Sequence, residues 1–287
     1  MNFSVLVLLF VTLVWGTTFP IIHAVTGHLN GTEITALRFL VAGVCMLPFA
    51  LRAPRAAWRD GAILGAVALV SYVVQAIGLE YISANRSAFL TSLDVLMVPF
   101  LALAVGGCLR TQAVVAALIA CAGIGLMTWE GGANLLGDSL TLACAFAYAV
   151  YVILLSRRIH AHTSLDLAAT QIVAMAVIGV VWLLIAELSR GTMVTLPARV
   201  RLEWPALLYL GVVASAGMLF LQAVGQRHVS AEQAAVIYAM EPVFAALFGW
   251  LWLRETLGAR GLVGGALVVA AVILGEWRFK SGQLAHQ

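Results

Sequence analysis

YISANRSAFLTSLD, residues 81–94, aligns with HVSAEQAAVIYAME, residues 228–241, at an offset of 147. Ser83-Ala84 then falls on Ser230-Ala231, and Asp94 falls on Glu241. Just upstream, Gln75-Ala76 matches Gln222-Ala223 and Gly78 matches Gly225. At an offset of 133, Trp15-Gly16 falls on Tyr148-Ala149 and Arg38 on Gln171. Matches between apolar residues arise easily by chance. A carboxylate on a carboxylate and a glutamine on a glutamine are harder to obtain that way. The chain therefore reads as a duplication, with residues 1–130 as one unit and 131–287 as the other.

What surrounds the quoted stretch sets its solvent. Asp94 sits inside LTSLDVLMVP, residues 90–99, an otherwise apolar run. The 287-residue chain is 63% hydrophobic and only 10% charged, with a mean hydropathy of +1.02. Soluble domains carry roughly 25% charged residues, so a water-facing surface is missing and the lipid bilayer is the expected partner. The net charge of +3 is scattered, with no basic stripe for nucleic acid. The four cysteines, Cys45, Cys108, Cys121 and Cys144, lie in apolar runs without metal-ligand spacing, and read as buried thiols.

Runs of about 20 apolar residues are what a helix needs to cross the hydrocarbon core. Ten are present, near 4–25, 32–51, 61–80, 87–107, 111–129, 138–156, 165–187, 204–225, 232–252 and 260–278. The first has no basic residue before it and no small-residue cleavage site by Val25, so it reads as a span and not as a leader. The fold expected is an all-α polytopic membrane protein of ten transmembrane helices. Five spans per unit is an odd number, so the second unit enters the membrane in the opposite sense, as an inverted repeat.

Lys and Arg in the connections set the orientation. With the N-terminus inside, Arg52, Arg55, Arg59, Arg110, Arg157, Arg158, Arg227, Arg278 and Lys280 are cytoplasmic. Arg86, Arg190, Arg199, Arg201, Arg254 and Arg260 are external. The excess is inside, which places both termini in the cytoplasm.

Polar residues within spans carry the functional reading. At 1.5 Å per residue, Asp94 lies about 10 Å into span four and Glu241 about 14 Å into span nine. A charge at the bilayer centre costs roughly 2.5–3.5 kcal/mol on insertion scales, so ionisable residues there mark substrate or ion pathways. A hydrogen-bonded carboxyl between helices is the alternative. Gln75 and Gln222 are symmetric amides that either line a cavity or join helices. Arg38, basic and inside a span, either anchors a substrate carboxylate or reaches the outer interface, about 9 Å away. Trp15, Tyr72, Tyr148, Tyr151 and Tyr238 are aromatics deep in spans, able to wall a pocket and hold a cation on their faces. Pro20, Pro48, Pro99 and Pro242 lie in or near the ends of spans, where each removes a helix hydrogen bond. A water-accessible cavity lined by spans one, three, four, six, eight and nine is the expectation.

Several of these residues resemble a known family. Trp15-Gly16-Thr17-Thr18-Phe19-Pro20, Leu37-Arg38-Phe39 and Tyr81-Ile82-Ser83-Ala84 resemble motifs of EamA-type transporters of the drug/metabolite transporter superfamily. So do Gly249 through Glu255-Thr256-Leu257, followed by Gly264-Gly265. The resemblance runs along nearly the whole chain and extends to YddG-like amino-acid exporters. One departure is Gly107-Cys108-Leu109-Arg110, where the family often has a Gly-Glu pair after span four. The resemblance implies secondary transport of small organic metabolites, often export across a bacterial inner membrane. From their positions within the spans and in the repeat, Trp15, Arg38, Tyr72, Gln75, Asp94, Tyr148, Gln222, Tyr238 and Glu241 are the expected substrate-binding residues.

Two other function classes compete. An intramembrane aspartyl enzyme would use Asp94 and Glu241 as a proton-sharing pair. The sequence has no His-Glu-x-x-His zinc motif, no cysteine–histidine cluster and no Gly-rich phosphate loop. A passive channel would carry a selectivity-filter repeat, and none is present. No cofactor or metal is expected. A small-molecule substrate is the expected partner, and the protein is expected to act as a monomer.

Overall fold

Inside a bilayer no water satisfies backbone N–H and C=O groups, so the apolar runs must become helices. The computed structural model describes residues 3–106, 111–128, 134–253 and 258–284, and among these it contains helices and no strand. Eight helices are long and apolar enough to cross a membrane: Phe3–Val25, Gly31–Ala50, Arg55–Gly78, Ala84–Ala104, Leu135–Ala161, Ser164–Arg190, Leu196–Gln226 and Ala231–Phe248. Two shorter apolar helices, Thr111–Leu126 and Ala259–Leu274, take the places of spans five and ten. The duplicated set of ten is complete.

Local chemistry sets the helix starts. Span two begins in a capping box, in which Asn30 accepts from Glu33 N–H while the Glu33 carboxylate accepts from Asn30 N–H. Asn134 caps span six and Thr163 caps span seven. Ser83 accepts from Arg86 N–H and Ser230 from Gln233 N–H, so the repeated serine is the N-cap of spans four and nine. Span seven ends at Gly191, whose φ of +69° is the left-handed stop that glycine takes most easily.

Large apolar side chains such as Phe10, Val44, Val70, Phe146, Val177, Ile185 and Leu262 are exposed, as expected of faces against lipid. Inside, span two packs along span seven, span three against spans six and seven, and span five along span ten. Close approach relies on small residues. A Cβ on Gly61 would collide with Thr170, and one on Gly65 would lie 2.5 Å from the Gln171 carbonyl oxygen. The Gly61-x-x-x-Gly65 pair therefore serves packing between spans three and seven. The cysteines depart from the uniform burial expected of them: Cys144 is buried, Cys121 half-buried and Cys45 exposed. Cys45 sits in span two, where an apolar surrounding does not require an interior position. Cys108, the departure at 107–110 and the motif residues 255–257 lie outside the described residues.

Three spans are broken. Span one stops at Gly16 and restarts at Thr18. Span four stops at Thr91 and restarts at Asp94; span nine stops at Tyr238 and restarts at Glu241. Each break tightens to a 3₁₀-like turn: Val95 N–H donates to the Ser92 carbonyl at 3.2 Å and Met240 N–H to the Ile237 carbonyl at 3.0 Å. Pro242 follows the break in span nine and has no N–H to lose at a helix start. Asp94 and Glu241 are thus each the first residue of a half-helix, each ten residues after the start of its span (84 to 94, 231 to 241). An acidic group at a helix N-terminus faces unpaired N–H groups and the positive end of the helix dipole.

Candidate functional site

The broken spans border a pocket with about 490 Å³ of empty space, open solvent at its mouth included. Its wall takes Trp15 and Thr18 from span one, Arg38 from span two, and Ser71, Tyr72 and Gln75 from span three. Span four adds Thr91, Ser92 and Asp94, span six Cys144 and Tyr148, and span nine Tyr238 and Glu241. Eight of the nine expected residues converge here. The exception is Gln222, which is fully buried behind Tyr148 and off the wall. Span two, left out of the expected lining, contributes Arg38, while span eight does not reach the cavity.

Span eight acts from behind. Tyr209–Gly217 is wound as a π-helix, an irregularity that frees main-chain and side-chain groups from the regular ladder. Trp15 Nε1–H donates to the Ala214 carbonyl at 2.9 Å, and Arg38 Nε–H donates to Ser215 Oγ at 2.9 Å. The π-segment therefore orients two wall residues. Gly16 supports the same arrangement, because a Cβ there would lie 2.8 Å from Phe244 Cβ in span nine. Nothing in the local sequence marks a π-segment.

One end of the cavity is floored by aromatic rings. Trp15, Tyr148 and Tyr238 meet pairwise, with centroids 6.1, 5.8 and 6.0 Å apart. Edge and tilted contacts at such distances are favourable beyond the area they bury. Beneath them lies a hydrogen-bonded layer. Gln222 Nε2–H donates to Tyr148 Oη at 2.9 Å, and Tyr151 Oη–H faces Gln222 Oε1 at 3.2 Å and Gln171 Oε1 at 3.3 Å. Tyr238 Oη–H donates to Gln226 Oε1 at 3.2 Å, and Gln226 Nε2–H reaches the Val152 carbonyl and Ser156 Oγ, both at 2.8 Å. Gln171, Gln222 and Tyr151 are fully buried.

The other end is different. Arg38 lies seven residues from the start of span two, about 10 Å deep, and is 2% exposed. It does not reach the interface, as one reading of the sequence allowed. Its guanidinium stacks over Tyr72 at 5.0 Å and Phe39 at 5.4 Å, and its buried Nη2 has no hydrogen-bond partner. Gln75 Nε2–H reaches Thr91 Oγ1 at 3.4 Å, while Ser71 Oγ–H donates to the Cys144 carbonyl at 3.2 Å. Thr18, Ser71, Thr91, Ser92 and Cys144 are small residues on the wall that the sequence did not single out. Small hydroxyls and thiols are common in spans, so nothing in the sequence set these apart.

Ion pairs tie the helix ends. On the side of loops 26–30 and 79–83, Arg86 grips Asp138 through two bonds of 2.7 Å. There too Arg199 Nη1–H donates to Glu33 at 2.7 Å, and Arg199 Nη2–H to Glu187 at 3.4 Å. On the opposite side Asp60 accepts from Arg158 at 2.8 Å and lies 2.9 Å from His162 Nε2. Among the described residues, no group of three or more His, Cys, Asp or Glu could hold a metal.

Comparison with known proteins agrees with this architecture. Residues 2–129 and 135–275 each match the EamA-like transporter family. An uncharacterized transporter of Archaeoglobus fulgidus is 27% identical over 269 residues, covering 92% of this chain and 82% of that protein. A second uncharacterized transporter of the same organism is 34% identical over 76 residues, 26% of this chain and 28% of its own length. A solved crystal structure, 19% identical, superposes with a TM-score of 0.73 over 95% of this chain and 96% of its own, a likeness of fold. With both halves matched, the chain belongs to the EamA-like transporter family.

Proposed function

We propose that this protein is a secondary transporter that exports small organic metabolites, amino acids among them, across a bacterial inner membrane by alternating access. The observation that carries the reading is a polar and aromatic cavity at mid-span depth, walled by residues of both halves. One end is sealed by the Tyr148–Gln222–Tyr151 layer and the other is partly open at Tyr72 and Gln75. Inverted repeats with binding groups at broken helices support alternating access. Trp15, Arg38, Tyr72, Gln75, Asp94, Tyr148, Tyr238 and Glu241 contact the substrate, and Gln222 sets Tyr148. Energy comes from a gradient of protons or of the substrate itself, with Asp94 and Glu241 as the proton carriers.

Transport is favoured over intramembrane hydrolysis because no hydrogen bond joins Asp94 to Glu241 among the described residues, whereas a proton-sharing dyad needs its carboxyls in contact. It is favoured over a channel because the floor is closed. Both termini lie in the cytoplasm, and the protein works as a monomer. The test is counterflow into proteoliposomes using amino acids, organic cations and nucleosides, with and without a pH gradient. Saturable exchange of at least one class is expected. Flux that stays linear with concentration would indicate a channel. For topology, a cysteine near Thr26 should label from outside and one near Ala53 from inside; labelling of both from one side would overturn the orientation.

A further inference from the structure

Among the described residues, each ion-paired acid has a basic partner to itself, with one exception. Asp138 is held by Arg86, Asp60 by Arg158 with His162 beside it, and Glu203 by His28. The exception lies outside the cavity, on the side of loops 26–30 and 79–83, where two acids share one arginine. Arg199 Nη1–H donates to both Glu33 oxygens at 2.7 Å, and its Nη2–H reaches Glu187 Oε2 at 3.4 Å. Both acids are interior, with side-chain exposures of 2% and 0%, and their carboxyls are within hydrogen-bonding reach of each other. No other basic group lies within 4 Å of either among the described residues. Two carboxyls in contact and out of water do not both stay ionised; such a pair keeps a proton between them.

Helix position decides which acid holds it. Glu33 is in the first turn of span two, where its carboxylate accepts Asn30 N–H at 2.8 Å and both its oxygens face Arg199. Glu187 is in the last turn of span seven, three residues before its end, at the negative pole of the helix. Its Oε1 is buried and finds no donor. The charge therefore rests on Glu33 and the proton on Glu187, whose O–H donates to the Glu33 carboxylate. Two other charged sets face this corner. Glu80 accepts Gly31 N–H at the start of span two, and its negative charge favours the proton. His28 and Glu203, 2.6 Å apart, join loop 26–30 to the helix of Arg199. Arg190, in the same turn as Glu187, is exposed.

We propose that Glu33, Glu187 and Arg199 form a one-proton site outside the cavity, and that the proton on Glu187 holds the last turn of span seven closed. With it bound, the three groups sum to zero charge. Without it, Glu187 is an interior carboxylate with one 3.4 Å bond and a second oxygen that nothing satisfies, pressed against another carboxylate. Arg199 is already committed to Glu33, so water is the remaining partner, and the turn must open to admit it. The chain beyond this turn passes through residues 191–195 into the helix Leu196–Leu208, which runs on into the π-segment that orients Trp15 and Arg38. The proton therefore bears on the cavity wall from a distance, whatever the cavity carries.

Two measurements on the full chain, over about pH 5–9, test this without any substrate. The folded pair holds a proton that glutamates of the unfolded chain release near about pH 4.3. Stability from the pair therefore falls as pH rises, until the folded pair loses its proton as well. Glu187→Gln keeps a donor toward Glu33 and cannot ionise. In thermal unfolding, the wild type should lose about 2–4 °C per pH unit relative to this variant within that window. A difference between the two that is constant with pH is what a purely structural contact gives, and would overturn the proton site. The second measurement is the motion of a spin label on Leu188→Cys in vesicles, with the native cysteines replaced and His28→Gln present so that this imidazole does not titrate. The label should gain motion as the proton leaves, and Glu187→Gln should remove that gain. A spectrum constant over the range, or a change that persists in Glu187→Gln, would overturn the opening of the turn. Should Glu187→Gln not fold, Glu33→Gln, which leaves Arg199 to Glu187 alone, should remove both pH effects, and their persistence there would overturn the proposal.

Discussion

Gln75 and Gln222 are the same residue in two copies of one repeat, and they do opposite things. Gln75, three residues before the end of span three, lies on the cavity wall with partial exposure. Gln222, four residues before the end of span eight, is fully buried and bonded to Tyr148 and Tyr151. Arg38 and Gln171 repeat the contrast. Each is seven residues into its span, yet Arg38 faces the cavity and Gln171 joins the sealed layer. Inversion explains the pairing: equivalent residues of the two halves sit at equal depth from opposite faces. One face is open and the other closed, so equivalents differ in environment while sharing position. If the proposed alternating access holds, the roles exchange in the opposite state of the cycle.

The acids are the exception, since both Asp94 and Glu241 line the cavity. Their local settings are not identical, and this gives the largest expected effect. Glu241→Gln should lower counterflow at least about tenfold or remove its pH dependence, while Asp94→Asn should do less, because Val95 N–H donates back to the Ser92 carbonyl across the span-four break and Pro242, in the equivalent place, has no N–H to do so. Normal flux with normal pH dependence in both would make the carboxyls structural.

The amides come next. Gln222→Ala strands the Tyr148 and Tyr151 hydroxyls, and should cost about 1–3 kcal/mol of stability against thermal unfolding. It should also raise reactivity of the cavity from the side opposite loops 26–30 and 79–83. Gln75→Ala removes only a 3.4 Å bond on a wall that keeps partial exposure, so its effect should be on substrate affinity with little loss of stability. Equal losses from the two would contradict the difference in environment. The smallest effect, and an equal one, belongs to the caps: Ser83→Ala and Ser230→Ala should each cost about 1 kcal/mol in the same thermal assay. Unequal costs would indicate that the serines do different work in the two copies.

How much of this was legible in the sequence follows from the same physics. The ten spans, the duplication and most of the wall could be read, because an apolar solvent makes each polar residue in a span informative. Gln222 was placed on the wall by its match to Gln75. The match was real, but symmetry of sequence gives equal depth, and the state of the cavity decides which side is lined. The role of span eight was out of reach, since the π-winding of Tyr209–Gly217 depends on what Trp15 and Arg38 demand of Ala214 and Ser215 from two other spans. The exposure of Cys45 was missed because apolar residues in spans face lipid as readily as core.

The account rests on Gln75 and Gln222 being alternately accessible, and thiol labelling tests that most directly. In a protein with the native cysteines replaced, Gln75→Cys and Gln222→Cys would be challenged with a membrane-impermeant thiol reagent from either side of sealed vesicles. The predicted result is that Gln75→Cys reacts from the side of loops 26–30 and 79–83 and Gln222→Cys only from the opposite side. Conditions that raise one rate should lower the other. Reaction of both from the same side, or rates that rise together, would contradict alternating access through inverted halves.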